Sequence, residues 1–408
     1  MKRSKLIRIR ETLLAEMLNI SPQIAEYISE HAADDPDRIR LSGKEIHGYP
    51  ASFIADQIDA RQRYRRRFPR LCTDLLTIFP GRLHLEQSSS EVTAALKADW
   101  MNQQTGNVKR IIDLTAGFGV DAFAMSKMTE KIILVEPDDN LRAITESNFN
   151  RMIPGKAEFS PLHAEEFLST FTEKSDWIYL DPSRRKSGSK VYRLEDSAPN
   201  PIVLINELLR IADHILIKTS PMLDITTVMR QWNQIKNIII ISVANECREV
   251  LYHFTAEKVS DPELTCINVK NESKEICSFR RSEEGSIDVR FADPMKFIYE
   301  PNTSVLKAGA FKWIAQKFNL CKLAPHTHLY TAENLVPEFP GRIFQVIRSI
   351  EKTDQGIKAN IISRNHPMTT DDISFKFKVK DGGDDFIIAC SGVNRKFLLF
   401  TRRISDSQ

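Results

Sequence analysis

From residue 110 to about 256 the sequence alternates short apolar runs with helical periodicities, an order that a largely parallel sheet flanked by helices accommodates. Strands are predicted at 110–114, 131–136, 157–159, 177–180, 214–218, 237–243 and 249–254. Helical patterns at 122–127, 141–152, 165–171, 202–211 and 225–232 separate most of them. Only residues 244–248 join the last two strands, too few for a crossover helix, so those two are expected to pair as an antiparallel hairpin. The expected fold is α/β, a Rossmann-like doubly wound sheet with its ligands at the carboxyl ends of the strands.

The first strand of this series runs into a glycine turn, Asp113-Leu114-Thr115-Ala116-Gly117-Phe118-Gly119-Val120-Asp121. Two close glycines between a strand and a helix let the backbone approach a ligand and point free N–H groups at it, which suits a nucleotide-like cofactor. Gly117, Gly119 and Ala122 satisfy the dinucleotide pattern, with Glu136 after the next strand as a ribose acceptor. Asp113 distinguishes a second class. A carboxylate four positions before the first glycine can take the methionine ammonium of S-adenosylmethionine (SAM), whereas beside a pyrophosphate it would be repelled. Within the turn, Thr115 and Asp121 complete the candidate cofactor set.

A second chemical stretch, Trp177-Ile178-Tyr179-Leu180-Asp181-Pro182-Ser183-Arg184-Arg185, follows the fourth strand, beside the glycine turn at the switch point of the sheet. Many nucleic-acid N-methyltransferases carry Asp-Pro-Pro-aromatic here. The carboxylate and a proline-fixed carbonyl accept hydrogen bonds from the target amine, and the catalysis is mostly positioning. Asp181 and Pro182 are therefore the candidate catalytic residues, with Asp181 also a candidate cofactor contact near the methyl donor. Ser183 and Arg184 replace the second proline and the aromatic, and Arg184 and Arg185 suit a phosphate. Upstream, Glu86-Gln87-Ser88-Ser89-Ser90-Glu91 precedes a helical pattern through Trp100, with Ser89 or Ser90 as its cap and with Gln87 and Ser89 as candidate cofactor contacts.

Residues 1–82 read as helices. Leu13, Leu14, Met17 and Leu18 recur at helical spacing, Ser21-Pro22 starts the next helix, and a third carries Ile54, Ile58 and six arginines between 61 and 70. Of these, Arg63, Arg66 and Arg67 are candidate contacts to an RNA backbone, against the alternative of a solvated helix face. Residues 75–79 read as a short strand. Beyond the hairpin, 264–269 and 276–280 alternate as two more strands, and 305–318 reads as one helix. The remainder, at 328–331, 342–351, 359–364, 385–390 and 396–401, mixes strands with one helix. Phe375-Lys376-Phe377-Lys378-Val379-Lys380 reads as a further strand with a row of lysines on one face.

Composition excludes more than it selects. Among 408 residues, 42% are hydrophobic, 27% are charged and the formal net charge is +3, so only local clustering can point to a polyanionic partner. The six cysteines form no Cys-x-x-Cys pair and there are nine histidines, so neither a metal site nor a disulfide framework is expected. No apolar run approaches the ~18 residues of a membrane span, and the expected setting is cytoplasmic, with no membrane contact.

Four stretches together resemble a known group: the glycine turn from Asp113 to Asp121, Asp181-Pro182-Ser183-Arg184-Arg185, Glu86-Gln87-Ser88-Ser89-Ser90-Glu91, and Ile298-Tyr299-Glu300-Pro301. They look like bacterial class I SAM-dependent methyltransferases with a THUMP-like C-terminal domain, of the type common in Bacteroidetes. The seven-strand layout ending in an antiparallel pair is that of class I methyltransferases. The resemblance implies a helical domain at 1–82, a SAM-binding methyltransferase domain at 83–283, a small ferredoxin-like module at 284–326, and a THUMP-like, RNA-binding module at 327–408. It implies SAM as cofactor, with Asp113, Gly117 and Gly119 on the methionine portion, Glu136 on the ribose, and Glu165 or its neighbour Ala164 on the adenine.

The expected activity is methylation of a base in structured RNA, tRNA or rRNA. The alternatives are a methyltransferase of a small molecule or protein, and a non-catalytic RNA-binding protein that kept the fold. Uracil-C5 enzymes need a cysteine after the fifth strand; Lys218-Thr219-Ser220-Pro221 stands there instead, which argues against a covalent cysteine mechanism.

Overall fold

A computed structural model describes residues 18, 20–184, 194–270 and 273–404. The expected first helix, with Leu13, Leu14 and Met17, lies outside the described residues, as does Arg185. The chain divides into two compact units, one reaching to Lys218 and including Phe254–Ala256, the other made of Thr219–His253 and the chain from Glu257 onward.

In the first unit, five strands lie in the order β5-β4-β1-β2-β3: β1 Val108–Asp113, β2 Thr129–Val135, β3 Ala157–Ser160, β4 Ser175–Leu180 and β5 Ala212–Thr219. All four pairings are parallel. The order reverses between β1 and β4, which makes the crevice beyond their carboxyl ends the place for a ligand. β1, β2, β4 and β5 carry runs of β-branched and apolar residues buried on both faces, as the fully exposure-free Ile111, Ile112, Ile132, Trp177, Ile178 and Ile215 illustrate, whereas the edge strand β3 has no buried residue. The helix Glu91–Thr105 starts at Ser90, whose Oγ accepts the Thr93 N–H at 3.1 Å, so Ser90 and not Ser89 is the cap.

The short strand expected at 75–79 does not form. Two side-chain amides take the place of a neighbouring strand. Asn148 accepts the Ile78 N–H (3.0 Å) and donates to its carbonyl (2.9 Å), and Gln57 does the same for Phe79 (2.8 and 3.1 Å). Buried backbone groups must be paired, and here the partners come from the helices Ala51–Tyr64 and Asp139–Met152. Arg61 belongs to the same structure. It is buried and donates to the carbonyls of Asp74, Leu75 and Thr77, and burial lowers its pKa to about 10. One of the six clustered arginines therefore holds the fold and presents no charge outward.

In the second unit, β6 Ile235–Val243 and β7 Glu246–Phe254 form the expected hairpin. Ala244 and Asn245 both have positive φ (52° and 62°), the geometry a two-residue turn of matching twist requires. β8 Glu263–Lys270 runs parallel to β6, and β9 Ser273–Arg280 antiparallel to β8. A separate seven-stranded sheet has the order β11-β12-β10-β13-β16-β15-β14, from β10 Phe297–Pro301, β11 Cys321–Ala324, β12 Thr327–Ala332, β13 Gly341–Ser349, β14 Asn360–Arg364, β15 Asp385–Ser391 and β16 Lys396–Arg403.

Two expectations fail in this unit. The single helix at 305–318 is two, Thr303–Ala308 and Trp313–Lys317, because Gly309 terminates the first in the left-handed conformation (φ 73°). The strand at 375–380 with its lysine row is instead the helix Thr370–Phe377. A reciprocal cap between Thr369 and Asp372 starts that helix, and Ile373 and Phe377, one turn apart, are its buried side, leaving Phe375 89% exposed. Two-residue alternation over six positions was outweighed by a cap and a one-turn apolar pair.

Candidate active site

The carboxyl ends of β1, β2, β4 and β5 gather three carboxylates and one lysine, the helix Val120–Met125 adds a fourth carboxylate and the helix Glu91–Thr105 a second lysine. Asp113 ends β1 and is 1% exposed; its Oδ1 accepts the Thr115 N–H at 3.0 Å. The Thr115 hydroxyl oxygen in turn accepts the Asp181 N–H at 2.7 Å, which locks the turn after β4 to the turn after β1. Glu136, after β2, accepts the N–H of Gly117 (3.0 Å) and of Asp138 (2.9 Å).

Behind this row lies a hydrogen-bonded hub on Ser89. Its hydroxyl donates to Asp121 Oδ2 at 2.7 Å and accepts from Lys97 Nζ (2.9 Å) and Lys218 Nζ (3.0 Å). Lys97, with no exposed side-chain surface, also pairs with Asp121 Oδ1 at 3.0 Å, and the Tyr179 hydroxyl donates to Asp121 Oδ2 at 2.8 Å. Lys218 reaches forward to Asp181 Oδ2 at 2.5 Å. Asp121 is thus fully engaged in the protein, while Asp181 keeps one oxygen free of that lysine.

The same surroundings set the protonation states. Burial pushes Asp113 up to about 8, assisted by the nearby Asp121, Asp181 and Glu136 and opposed by the Thr115 N–H. Burial likewise raises Asp181 and Glu136, with Lys218 pulling against it at Asp181. Burial acts upward on Asp121 too, but Lys97 and Lys218 outweigh it and hold that carboxyl below its usual range. The uncompensated charge of the crevice is negative, a setting for a cationic ligand and a poor one for a pyrophosphate.

The two glycines have separate jobs. Gly117 has φ 54°, and a side chain there would project into open space, with only the Thr115 carbonyl within reach at 3.9 Å. It is the place where a ligand can lie against the backbone. At Gly119 (φ 77°) a Cβ would stand 2.8 Å from Thr145 Cγ2 and 3.0 Å from Phe149 Cε2, so this glycine serves close helix packing. Thr145 also donates to the Gly117 carbonyl at 2.9 Å, steadying the turn. Phe118 between them is buried against Phe68 and Phe79, with ring centroids 6.0 and 5.7 Å away.

Of the expected site residues, Asp113, Thr115, Gly117, Glu136 and Asp181 converge on the crevice, and Ser89 and Asp121 form the layer beneath it. Gln87 is exposed at the end of the helix Arg82–Gln87, and Glu165 is exposed on Ala164–Thr170. Pro182 follows Asp181, half-buried, and leads into the short ribbon Ser183–Arg184, which pairs with Ser197–Ala198. Arg63, on the helix Ala51–Tyr64, is engaged by Asp59 (2.6 Å), whereas Arg66 and Arg67 lie in the turn after that helix, where Arg67 donates to the Ser88 carbonyl and Arg66 is exposed.

Lys97, Lys218 and Tyr179 were not singled out from the sequence. For Lys97 a signal existed, since Thr93, Ala94, Trp100 and Met101, its neighbours three and four positions away, are all buried. A lysine in the middle of an apolar helix face needs an internal partner.

Compared with known proteins, the chain is similar over 97% of its length to a candidate methyltransferase from Porphyromonas gingivalis W83 (29% identity, TM-score 0.83, 99% of that chain covered). A candidate RNA methyltransferase from Pyrococcus horikoshii matches 44% of the chain and 91% of its own at 18% identity and TM-score 0.33. A candidate methyltransferase from Streptococcus mutans, solved in complex with SAH, matches 39% of the chain and 95% of its own at 13% identity and TM-score 0.30. A ferredoxin-like domain family matches residues 297–340. No curated protein matches the chain in sequence. The fold is α/β, with a large parallel-rich sheet of the kind found in methyltransferases and a ferredoxin-like part toward the C-terminus. Among the described residues no helix is long and apolar enough to cross a membrane.

Proposed function

We propose that this protein is a SAM-dependent methyltransferase whose acceptor is a base of structured RNA, tRNA or rRNA. The observation that carries the reading is the acidic crevice around Gly117: a buried Asp113 with one protein donor, Glu136 at the next strand end, and open space where a glycine side chain would be. Those carboxylate acceptors fit a ligand that donates through an ammonium and a pair of hydroxyls. The near full-length likeness to a candidate methyltransferase supports the activity.

In this reading Asp113 takes the ammonium of the methionine portion, Gly117 lies against it, and Glu136 receives the ribose hydroxyls, with Glu165 or Ala164 toward the adenine. When bound, SAM supplies an electrophilic methyl group. The protein's own part is to aim the acceptor. The Asp181 oxygen not held by Lys218 accepts a hydrogen bond from the target amine, the Pro182 carbonyl offers a second, and the Thr115 bond to the Asp181 N–H fixes the turn that carries both. Lys218, by holding Asp181 toward its charged form, keeps that acceptor ready.

The RNA assignment draws on Arg63, Arg66 and Arg67 at the N-terminal helix and on Arg184 and Arg185 beyond Asp181, placed in sequence to meet phosphates. The C-terminal module, THUMP-like in this reading, helps to seat the RNA. Transfer of labelled methyl from SAM into fractionated cellular RNA, followed by nucleoside analysis, tests the proposal. A labelled base in tRNA or rRNA supports it. Label confined to protein or small molecules, or no transfer with RNA binding intact, overturns it in favour of another acceptor or of a non-catalytic binder.

A further inference from the structure

The seven-stranded sheet of the second unit contains a cleft that the methyltransferase reading leaves unused. It encloses about 560 Å³ and is lined by Arg342, Asn360, Arg364, Phe386 and Arg403, among others. Its construction follows from a curl in the sheet. β14 lies four places from β10, which in a flat sheet would be about 19 Å. Yet Arg364 Nη2 on β14 stands 2.8 Å from Glu300 Oε1 on β10, so the sheet closes on itself and the cleft sits in its mouth.

Glu300 is 2% exposed and is held from both sides, by Arg342 through Nε (2.7 Å) and by Arg364 through Nε (3.0 Å). One carboxylate balances one guanidinium, so the triad keeps a net positive charge. Arg403, half-buried, adds another and has no side-chain partner among the described residues. The opposing charge in the lining is the exposed Asp384. Only Glu300 of the triad is buried, the Arg342 and Arg364 side chains being 25% and 45% exposed, and ion pairs with that much solvent contact contribute little net stability. Glu300 takes the Nε–Nη2 edge of both arginines, and Arg364 Nη1 also donates to the Ser363 carbonyl at 3.2 Å, so what the triad leaves at the lining of the cleft is the remaining Nη N–H groups of two planar guanidiniums, fixed in direction by Glu300 and suited to phosphate oxygens. Half-buried Phe386, with the Arg342 guanidinium 6.0 Å from its ring centroid, and Ile362, which belongs to the same apolar cluster, form an apolar wall beside them. The volume accommodates a mononucleotide.

We propose that this cleft binds the phosphate of a nucleotide, with the phosphate on Arg342, Arg364 and Arg403 and the base or sugar against Phe386. The phosphate can belong to a free nucleotide or to an RNA strand; only the second source rests on the function proposed above.

The test is titration of the full chain with inorganic phosphate, AMP and a 5′-phosphorylated oligoribonucleotide, each followed by calorimetry, for the native protein and for Arg403→Ala and Arg364→Ala. Arg403→Ala removes a guanidinium outside the triad and is expected to keep the native melting temperature while weakening AMP or oligonucleotide at least about tenfold. Arg364→Ala gives the same loss, with Glu300 still paired to Arg342. AMP binding identifies a free-nucleotide site, and oligonucleotide binding without AMP binding identifies RNA. Binding of inorganic phosphate alone, binding unchanged in folded Arg403→Ala, or no binding of any probe overturns the inference. SAM titrated into the same native preparation keeps the two proposals apart: SAM binding without AMP or oligonucleotide binding defeats this one alone, and AMP or oligonucleotide binding without SAM binding defeats the methyltransferase reading alone.

Discussion

Replacing Asp113 by asparagine is expected to make the ligand-free protein more stable and its cofactor site worse, with a pH signature that separates the two effects. Burial holds the Asp113 carboxyl at about 8, whereas in the unfolded chain it titrates near 4. The folded pKa is the higher one. Between pH 4 and 8 the unfolded state has therefore lost a proton that the folded state retains, and raising the pH lowers stability by ~1.4 kcal/mol per unit. At pH 7, about three units above the unfolded value, the accumulated cost is on the order of 4 kcal/mol. Asparagine keeps an oxygen for the Thr115 N–H and mimics the protonated carboxyl without titrating. Chemical unfolding of both proteins at several pH values reads the difference. It should be near zero at pH 4 and grow in favour of Asp113→Asn toward pH 8. Calorimetry on the same pair should show SAM affinity reduced by about one to three kcal/mol in the variant, the loss of a charge-assisted hydrogen bond. In the native protein that affinity should rise about fiftyfold from pH 6 to pH 8 as the carboxylate forms. A stability difference that does not change with pH, or an unaltered SAM affinity, refutes the reasoning.

Asp181→Asn should leave SAM affinity nearly intact and cut the single-turnover rate at saturating RNA by about a hundredfold or more; a full rate would return this turn to a structural role. Since Lys218 pulls the Asp181 pKa down, Lys218→Met should raise it and move the acid limb of the pH–rate profile to higher pH, and an unmoved limb would break that link. Gly119→Ala should destabilise the fold by roughly 1–3 kcal/mol through positive φ and the contacts with Thr145 and Phe149, with Gly117→Ala weakening SAM more than it weakens the fold; equal effects on both properties would contradict the division of labour. Alanine at Arg63, Arg66 and Arg67 together should flatten the slope of log RNA affinity against log salt by about two to three units, and an unchanged slope would make the cluster a solvated helix face.

What could be read from the sequence was what short segments decide by themselves. β1, β2, β4 and β5 are continuous apolar runs, and Asp113, Glu136 and Asp181 are polar residues at the ends of such runs, so both the strands and the crevice were visible in local pattern. What escaped depends on partners far along the chain. Ser89 meets Lys218 across 129 positions, and Ile78 is paired by Asn148 across 70, neither of which leaves a mark in a local window. Ser89 reads as a cap because a serine before a helix usually is one, yet its neighbour caps and Ser89 holds two lysines. The segment Phe375-Lys376-Phe377-Lys378 shows the opposite failure. Its alternation is strand-like, but Thr369 and Asp372 upstream had already committed the backbone to a helix.

The central claim, that the crevice around Asp113, Gly117 and Glu136 is built for SAM, is tested most directly by calorimetric titration of the full-length protein at pH 8 with SAM and, separately, with NAD. The account predicts one SAM site per chain, lost in a folded Glu136→Ala protein, and no heat from NAD. Binding of NAD in place of SAM, or SAM binding that survives both Asp113→Asn and Glu136→Ala unchanged, would contradict it.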